Sequence, residues 1–292
     1  GLAVRPWTPY PAAPTQRDEA AAILFTTGST GPAKGAVYTH GNFDGQIRQI
    51  QDHFQIGEDE VDLPTFPLFA LFDPALGMTA VIPDMDPRWP SRVDPHRIIE
   101  PIVDHGVTNM FASPALLRRV GAFAAARRLK LPSLRRVVSA GAPVDPAIIE
   151  QFGGLLEEAA EVHTPYGATE AVPVVSIGSR EILSETRALT AKGYGLCVGR
   201  RLPHTRLAII AIQDAPIPAW DDALLLPDGE IGEIVVQGDL VTRHYHQDPQ
   251  ADALAKIPDE DGFWHRMGDL GWRDRKGRLW FCGRKSHRVT TP

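Results

Sequence analysis

Only two cysteines occur in 292 residues, Cys197 and Cys282, and they lie far apart in the chain. That excludes a disulfide framework and suits a reducing, cytoplasmic setting. Long apolar runs are also missing. The most apolar window, residues 63–83, is interrupted by Pro64, Pro67, Asp73 and Pro74, so it reads as buried strand and loop and not as a transmembrane span. Gly1–Pro14 is proline-rich and lacks the apolar segment of a secretory signal. There is no cationic excess: Lys and Arg number 30 against 36 Asp and Glu, a formal net charge of −6. That speaks against nucleic acid as a partner, but a local field can still hold a small anion. No repeat or low-complexity tract is visible. His244 and His246 have metal-like spacing but no nearby Cys or acidic cluster, so they read as a solvated strand.

What is present is an ordinary globular composition, with 43% hydrophobic and 23% charged residues. Residues 1–20 read as a proline-rich edge or linker. Ala21–Phe25 is an apolar run of strand length, and a helix follows with Phe43, Ile47, Ile50 and Phe54 at helical spacing. Asp94–Pro95 and Ser113–Pro114 each supply a cap and a first helical residue. Val107–Phe111, Arg136–Ser139 and the segment from Val162 read as strands, with a helix over Pro146–Phe152. This alternation predicts βα units on a largely parallel sheet across residues 21–194. From residue 195 to 284 the texture changes to strands (Arg206–Ile212, Gly232–Gln237, Leu279–Cys282) separated by turns at Pro227-Asp228-Gly229 and Lys276-Gly277. The expectation is an α/β core followed by a smaller β-rich subdomain, with residues 285–292 as a hinge stub.

The segment Thr26-Thr27-Gly28-Ser29-Thr30-Gly31-Pro32-Ala33-Lys34-Gly35 carries the strongest chemical signal. Its three glycines and four hydroxyls let the backbone bend around an anion and offer donors, and Lys34 adds a point charge. It is not a Walker A loop, because Ala33 precedes Lys34 and Gly35 follows it.

This loop resembles the phosphate-binding loop of the adenylate-forming superfamily: acyl-CoA synthetases, peptide-synthetase adenylation domains and firefly luciferase. Later segments resemble that family's motifs in the same order. The resemblance implies ATP and Mg²⁺ as cofactors, with Thr26, Thr27, Gly28, Ser29, Thr30 and Gly31 around the phosphates and Lys34 as a catalytic cation. Gly141, Ala142 and Pro143 would flank the adenine. In Tyr166-Gly167-Ala168-Thr169-Glu170 the ring would stack on the base, Thr169 would meet the α-phosphate, and Glu170 with Thr169 would hold the metal. Asp269 would accept the ribose hydroxyls, and Arg284 would contact ribose or phosphate. Gly232-Glu233 would be structural, and Met267 stands where the family usually has Thr.

Phe66, Phe69 and Phe72 would line an acyl pocket, with Ala70 where many ligases carry His. This segment, Tyr166–Ala171 and Gly283–Val289 resemble one branch, the β-lactone synthetases of bacterial olefin biosynthesis. That branch implies a long-chain 2-alkyl-3-hydroxy acid as substrate, a β-lactone as product and a possible complex with other enzymes of the same hydrocarbon pathway. A fatty acyl-CoA ligase and a non-catalytic nucleotide-binding module are the alternative readings. Family members begin well before the phosphate loop and continue past the hinge into a small C-terminal domain carrying a late catalytic lysine. This piece is therefore expected to bind ATP but to adenylate poorly.

Overall fold

The computed structural model describes residues 11–26, 33–66 and 69–289. The apolar run forms a strand, β1 (Ala20–Phe25), which enters the glycine-rich loop. The chain returns as β2 (Gly35–Thr39), antiparallel to β1 with Phe25 opposite Gly35. The direct passage from loop to helix that the sequence pattern predicts does not occur. Gly35 through Tyr38 are all buried, so β2 lacks the alternation that marks a strand.

Thr39 then caps α1 (His40–Phe54): its Oγ1 accepts from the Asn42 N–H at 3.2 Å, and Asn42 Oδ1 accepts from the Thr39 N–H at 2.9 Å. The predicted apolar stripe lies on this helix, but of its four residues only Phe54 is fully buried. A polar face is buried instead. Gln49 Nε2 donates to the Pro173 carbonyl at 2.8 Å and to Thr205 Oγ1 at 2.6 Å, while Gln46 donates to the Val172 carbonyl at 2.7 Å. Each amide nitrogen finds a backbone or hydroxyl partner, while Gln46 Oε1 is buried without one.

Twelve strands make the main sheet. β3 (Val61–Pro64), β4 (Thr79–Ala80), β5 (Asn109–Phe111), β6 (Arg136–Val138) and β7 (Glu161–Ala168) are parallel, in the order β4-β3-β5-β6-β7. Three crossover helices join them: α2 (His96–Asp104), α3 (Pro114–Ala126) and α4 (Pro146–Gly153). Ser113 and Asp145 cap the latter two ahead of Pro114 and Pro146, as the sequence pattern predicts for α3. α2 starts one residue later than predicted, with Asp94 Oδ1 accepting from the His96 N–H at 3.1 Å.

After β7 the sheet reverses sense. β8 (Ala171–Gly178) pairs antiparallel to β7. A helical run, α5 (Ser179–Glu181), a π turn over Ile182–Thr186 and α6 (Arg187–Ala191), leads to β9 (Leu196–Arg201). β10 (Arg206–Ile210), β11 (Gly232–Gln237), α7 (Pro249–Ala255), β12 (Lys256–Asp259), β13 (Gly262–Arg273) and β14 (Leu279–Arg284) complete the described chain's regular elements. The antiparallel half continues in the order β8-β9-β14-β13-β11-β10, with β12 paired on β13 beside that path. The helices α2–α4 pack Ile98, Ile102, Leu117 and Phe152 against Leu63, Met110, Val137 and Val162 of the parallel strands. Met267 sits in a second core with Val174, Val198, Ile234 and Leu279, so it acts through packing.

Candidate active site

In open α/β sheets, ligands sit beyond the carboxyl ends of parallel strands where the topology switches. Here that point is β7, the last parallel strand and the first to pair antiparallel. A cleft of about 640 Å³ opens there. Segments expected from four separate motifs meet on its wall. Gly141, Ala142 and Pro143 follow β6, Tyr166 and Gly167 end β7, and Asp269 and Arg284 come from β13 and β14. Gly141 has φ +93° with open space where a Cβ would stand, so its backbone faces the cleft uncovered.

Three of these side chains are bound to each other. Tyr166 Oη donates to Asp269 Oδ2 at 2.6 Å, and Arg284 Nη1 lies 2.9 Å from Asp269 Oδ1. Asp269 is buried while Arg284 is 39% exposed, so the pair points one charge into the protein and one toward the cleft. Burial pushes the Asp269 carboxyl above its usual range, against the pull of Tyr166 and Arg284. Burial and the Asp269 charge together hold the Tyr166 hydroxyl protonated.

Thr169 and Glu170 form the tip of the β7–β8 hairpin, between the paired Ala168 and Ala171. Gly167 makes the bulge beside that tip possible: a Cβ there would stand 2.5 Å from the Ala171 carbonyl oxygen. Thr169 lines the cleft, and its carbonyl accepts from Tyr38 Oη at 2.5 Å. Glu170 is buried. Its Oε1 accepts from Tyr245 Oη at 2.6 Å, and its carbonyl accepts from the Thr242 N–H at 2.9 Å. Burial and the Glu170 charge push both tyrosine hydroxyls well up from their ordinary range.

The glycine-rich loop is closed at its base by a reciprocal pair. The Thr26 N–H donates to the Lys34 carbonyl at 2.9 Å, and the Lys34 N–H donates to Thr26 Oγ1 at 3.1 Å. Lys34 Nζ lies 5.3 Å from the centre of the Tyr245 ring, which brings the loop's cation to the Glu170 cluster. Thr27, Gly28, Ser29, Thr30 and Gly31 lie outside the described residues. The His244–His246 segment has a backbone role here: β2 hydrogen-bonds to the His244 carbonyl at 3.1 Å and to the His246 N–H at 2.7 Å.

Of the three phenylalanines predicted to line an acyl pocket, Phe66 and Phe69 face the cleft, and Phe69 packs 4.0 Å from the Phe111 ring. Phe72 packs elsewhere, against Phe43 and the cluster of Phe54, Ile56, Leu76 and Met78. Behind them Asp62 and Asp73 face each other in the interior, both 2% exposed. Burial pushes both carboxyls up, and each feels the other. The folded protein therefore keeps a proton that the unfolded chain releases above about pH 4. Stability from this pair is present at and below that range and is lost as pH rises toward the folded pKa. Asp73→Asn is expected to flatten the fall in urea midpoint between about pH 5 and about pH 8. An unchanged slope contradicts the assignment.

The sequence pattern did not reveal Tyr38 or Lys256 as site residues. Lys256 is buried, its Nζ donates to the Thr242 carbonyl at 2.5 Å, and burial pulls its ammonium down to about 7 against the charges of Glu170 and Asp252. One signal was available: Lys256 is a lone charge within the run Ala253-Leu254-Ala255-Lys256-Ile257.

The chain is 50% identical over 96% of its length to an olefin β-lactone synthetase of Stenotrophomonas maltophilia, covering 50% of that protein. It is 30% identical over 88% of its length to a long-chain-fatty-acid–CoA ligase of Thermus thermophilus, covering 46% of that protein. Among solved structures, the O-succinylbenzoate coenzyme A synthetase of Bacillus subtilis in complex with AMP superposes with a TM-score of 0.73 at 25% identity, over 94% of this chain and 51% of that one. The chain thus spans about half the length of the curated relatives it matches. The family model for AMP-binding enzymes matches residues 2–246, running through the loop, the β7–β8 tip and Tyr245, and the chain belongs to that family.

Proposed function

We propose that the full-length protein activates a long-chain 2-alkyl-3-hydroxy acid with ATP and then closes it to a β-lactone. The observation that supports the nucleotide half most strongly is the Tyr166–Asp269–Arg284 constellation on the same cleft wall as Thr169. In this reading a carboxylate oxygen of the substrate attacks the α-phosphorus of ATP, and pyrophosphate leaves. The substrate's own 3-hydroxyl oxygen then attacks the acyl carbon, AMP leaves with the former carboxylate oxygen, and the hydroxyl proton is lost.

Asp269, fixed by Tyr166, accepts from the ribose, and Arg284 supplies positive charge at the cleft mouth. Gly141–Pro143 give the flat base a backbone wall. Phe66, Phe69 and Phe111 offer apolar surface, where each buried CH₂ of an acyl chain contributes about 0.8 kcal/mol. Holding the hydroxyl beside the acyl carbon makes the second step intramolecular. The donor set fits Mg²⁺: Glu170 offers one carboxylate beside the Thr169 that lines the cleft. Mg²⁺ takes one or two carboxylates and completes its shell with water and phosphate oxygens. When bound it neutralises phosphate charge.

The choice of acid and product rests on the likeness to the Stenotrophomonas relative. A cytoplasmic setting and a complex with enzymes of the same hydrocarbon pathway belong to this proposal. Cys197 and Cys282 are unpaired, and no described helix is long and apolar enough to cross a membrane. The first test is pyrophosphate exchange into ATP by the full-length protein. Exchange dependent on a long-chain 3-hydroxy acid supports the reading; ATP binding without exchange would leave only a nucleotide-binding module.

A further inference from the structure

We infer that Lys256 is a positioning residue for the Thr169–Glu170 tip. The inference rests on the function proposed above. Lys256 opens β12, opposite His265 of β13, and is buried. Among the described residues its Nζ has no carboxylate within salt-bridge distance. Its neighbours are the Thr242 carbonyl at 2.5 Å, the Phe263 ring at 5.3 Å and the Tyr245 ring at 5.6 Å.

A buried ammonium without a direct counter-ion is costly, and an apolar side chain of similar volume would fill the same space at less cost. What the ammonium reaches explains its presence. Thr242, whose carbonyl accepts from Lys256, donates its own N–H to the Glu170 carbonyl at 2.9 Å. The Tyr245 ring near the ammonium carries the hydroxyl that donates to Glu170 Oε1 at 2.6 Å. Lys256 thus holds both the backbone anchor and the side-chain anchor of Glu170. Other charged or titratable groups around it are Lys34, which also lies by the Tyr245 ring, Asp252 and His265. Partners that orient a metal-binding carboxylate typically change metal affinity about 10–100-fold when removed.

The test uses the full-length protein and measures the gain in ATP affinity that Mg²⁺ confers, by titration with and without a chelator. Lys256→Met is expected to melt at or above the wild-type temperature, because an unpaired buried charge is gone. Its Mg²⁺-dependent gain is expected to fall about 10–100-fold. In a Glu170→Gln background the same substitution should cost nothing further, since its effect runs through that carboxylate. A Lys256→Met protein that melts lower or fails to fold makes the lysine a structural residue and overturns the inference. So does an undiminished Mg²⁺ gain, or an equal loss in both backgrounds. A wild-type protein that shows no Mg²⁺-dependent gain sinks the parent reading instead.

Discussion

Asp269→Ala in the full-length protein is expected to weaken ATP binding at least about 100-fold while leaving the fold intact. A carboxylate accepting from two hydroxyls makes two charge-assisted bonds, each worth about 1.5–3 kcal/mol, and about 1.4 kcal/mol is a factor of ten. Asp269 is buried within β13 and already oriented by Tyr166 at 2.6 Å, so little ordering is needed when a ribose arrives. Removing it also strands the Tyr166 hydroxyl, which is buried and protonated. Tyr166→Phe should cost less, because the carboxylate stays and only its orientation is lost. Calorimetric titration with ATP checks both. An Asp269→Ala protein that binds ATP within about fivefold of wild type would contradict the ribose assignment.

The second large effect concerns stability. Arg266 and Glu233 form a buried ion pair at 2.7 Å, with side chains 2% and 1% exposed. The guanidinium also donates to the carbonyls of Ala215 at 2.9 Å, Leu254 at 3.1 Å and Gln213. Lys285 joins the cluster at 3.1 Å from Glu233 Oε1, tying the segment after β14 to the same anchor. Breaking a buried pair by removing one partner costs about 3–5 kcal/mol, because the remaining charge is left without its best counter-ion. Arg266→Ala is expected to destabilise by that amount in urea denaturation, with Lys285 offsetting part of the loss at Glu233. A change below about 1 kcal/mol would mean the cluster is not the anchor it appears from its geometry.

The parallel half of the sheet was legible because its signals are local. Ser113-Pro114 announces a helix start through side-chain capping, and Gly106 at φ +60° closes α2. Gly141, Tyr166 and Asp269, singled out by motif order, lie on one cleft wall. Several strands went unread, β9, β12 and β13 among them, and two of them share one reason: β2 and β8 are buried on both faces, so neither shows the period of two that reveals a half-solvated strand. The hairpin tip at Thr169–Glu170 was missed with β8, since a turn is recognised by the strands it joins. The inner face of α1 was misread because three of its buried residues are amides, Asn42, Gln46 and Gln49. The partners of the two glutamines, Val172, Pro173 and Thr205, lie more than a hundred residues away. Lys256 illustrates the same limit. A lone lysine in an apolar run is visible, but the Thr242 carbonyl it holds is set by tertiary structure.

Product analysis by mass spectrometry tests the central claim most directly. The full-length protein is given ATP, Mg²⁺ and a long-chain 2-alkyl-3-hydroxy acid, with and without coenzyme A. The account predicts AMP, pyrophosphate and a product lighter than the acid by one water, formed equally in both cases. A product that forms only with coenzyme A, as its thioester, would contradict it and identify the protein as an acyl-CoA ligase.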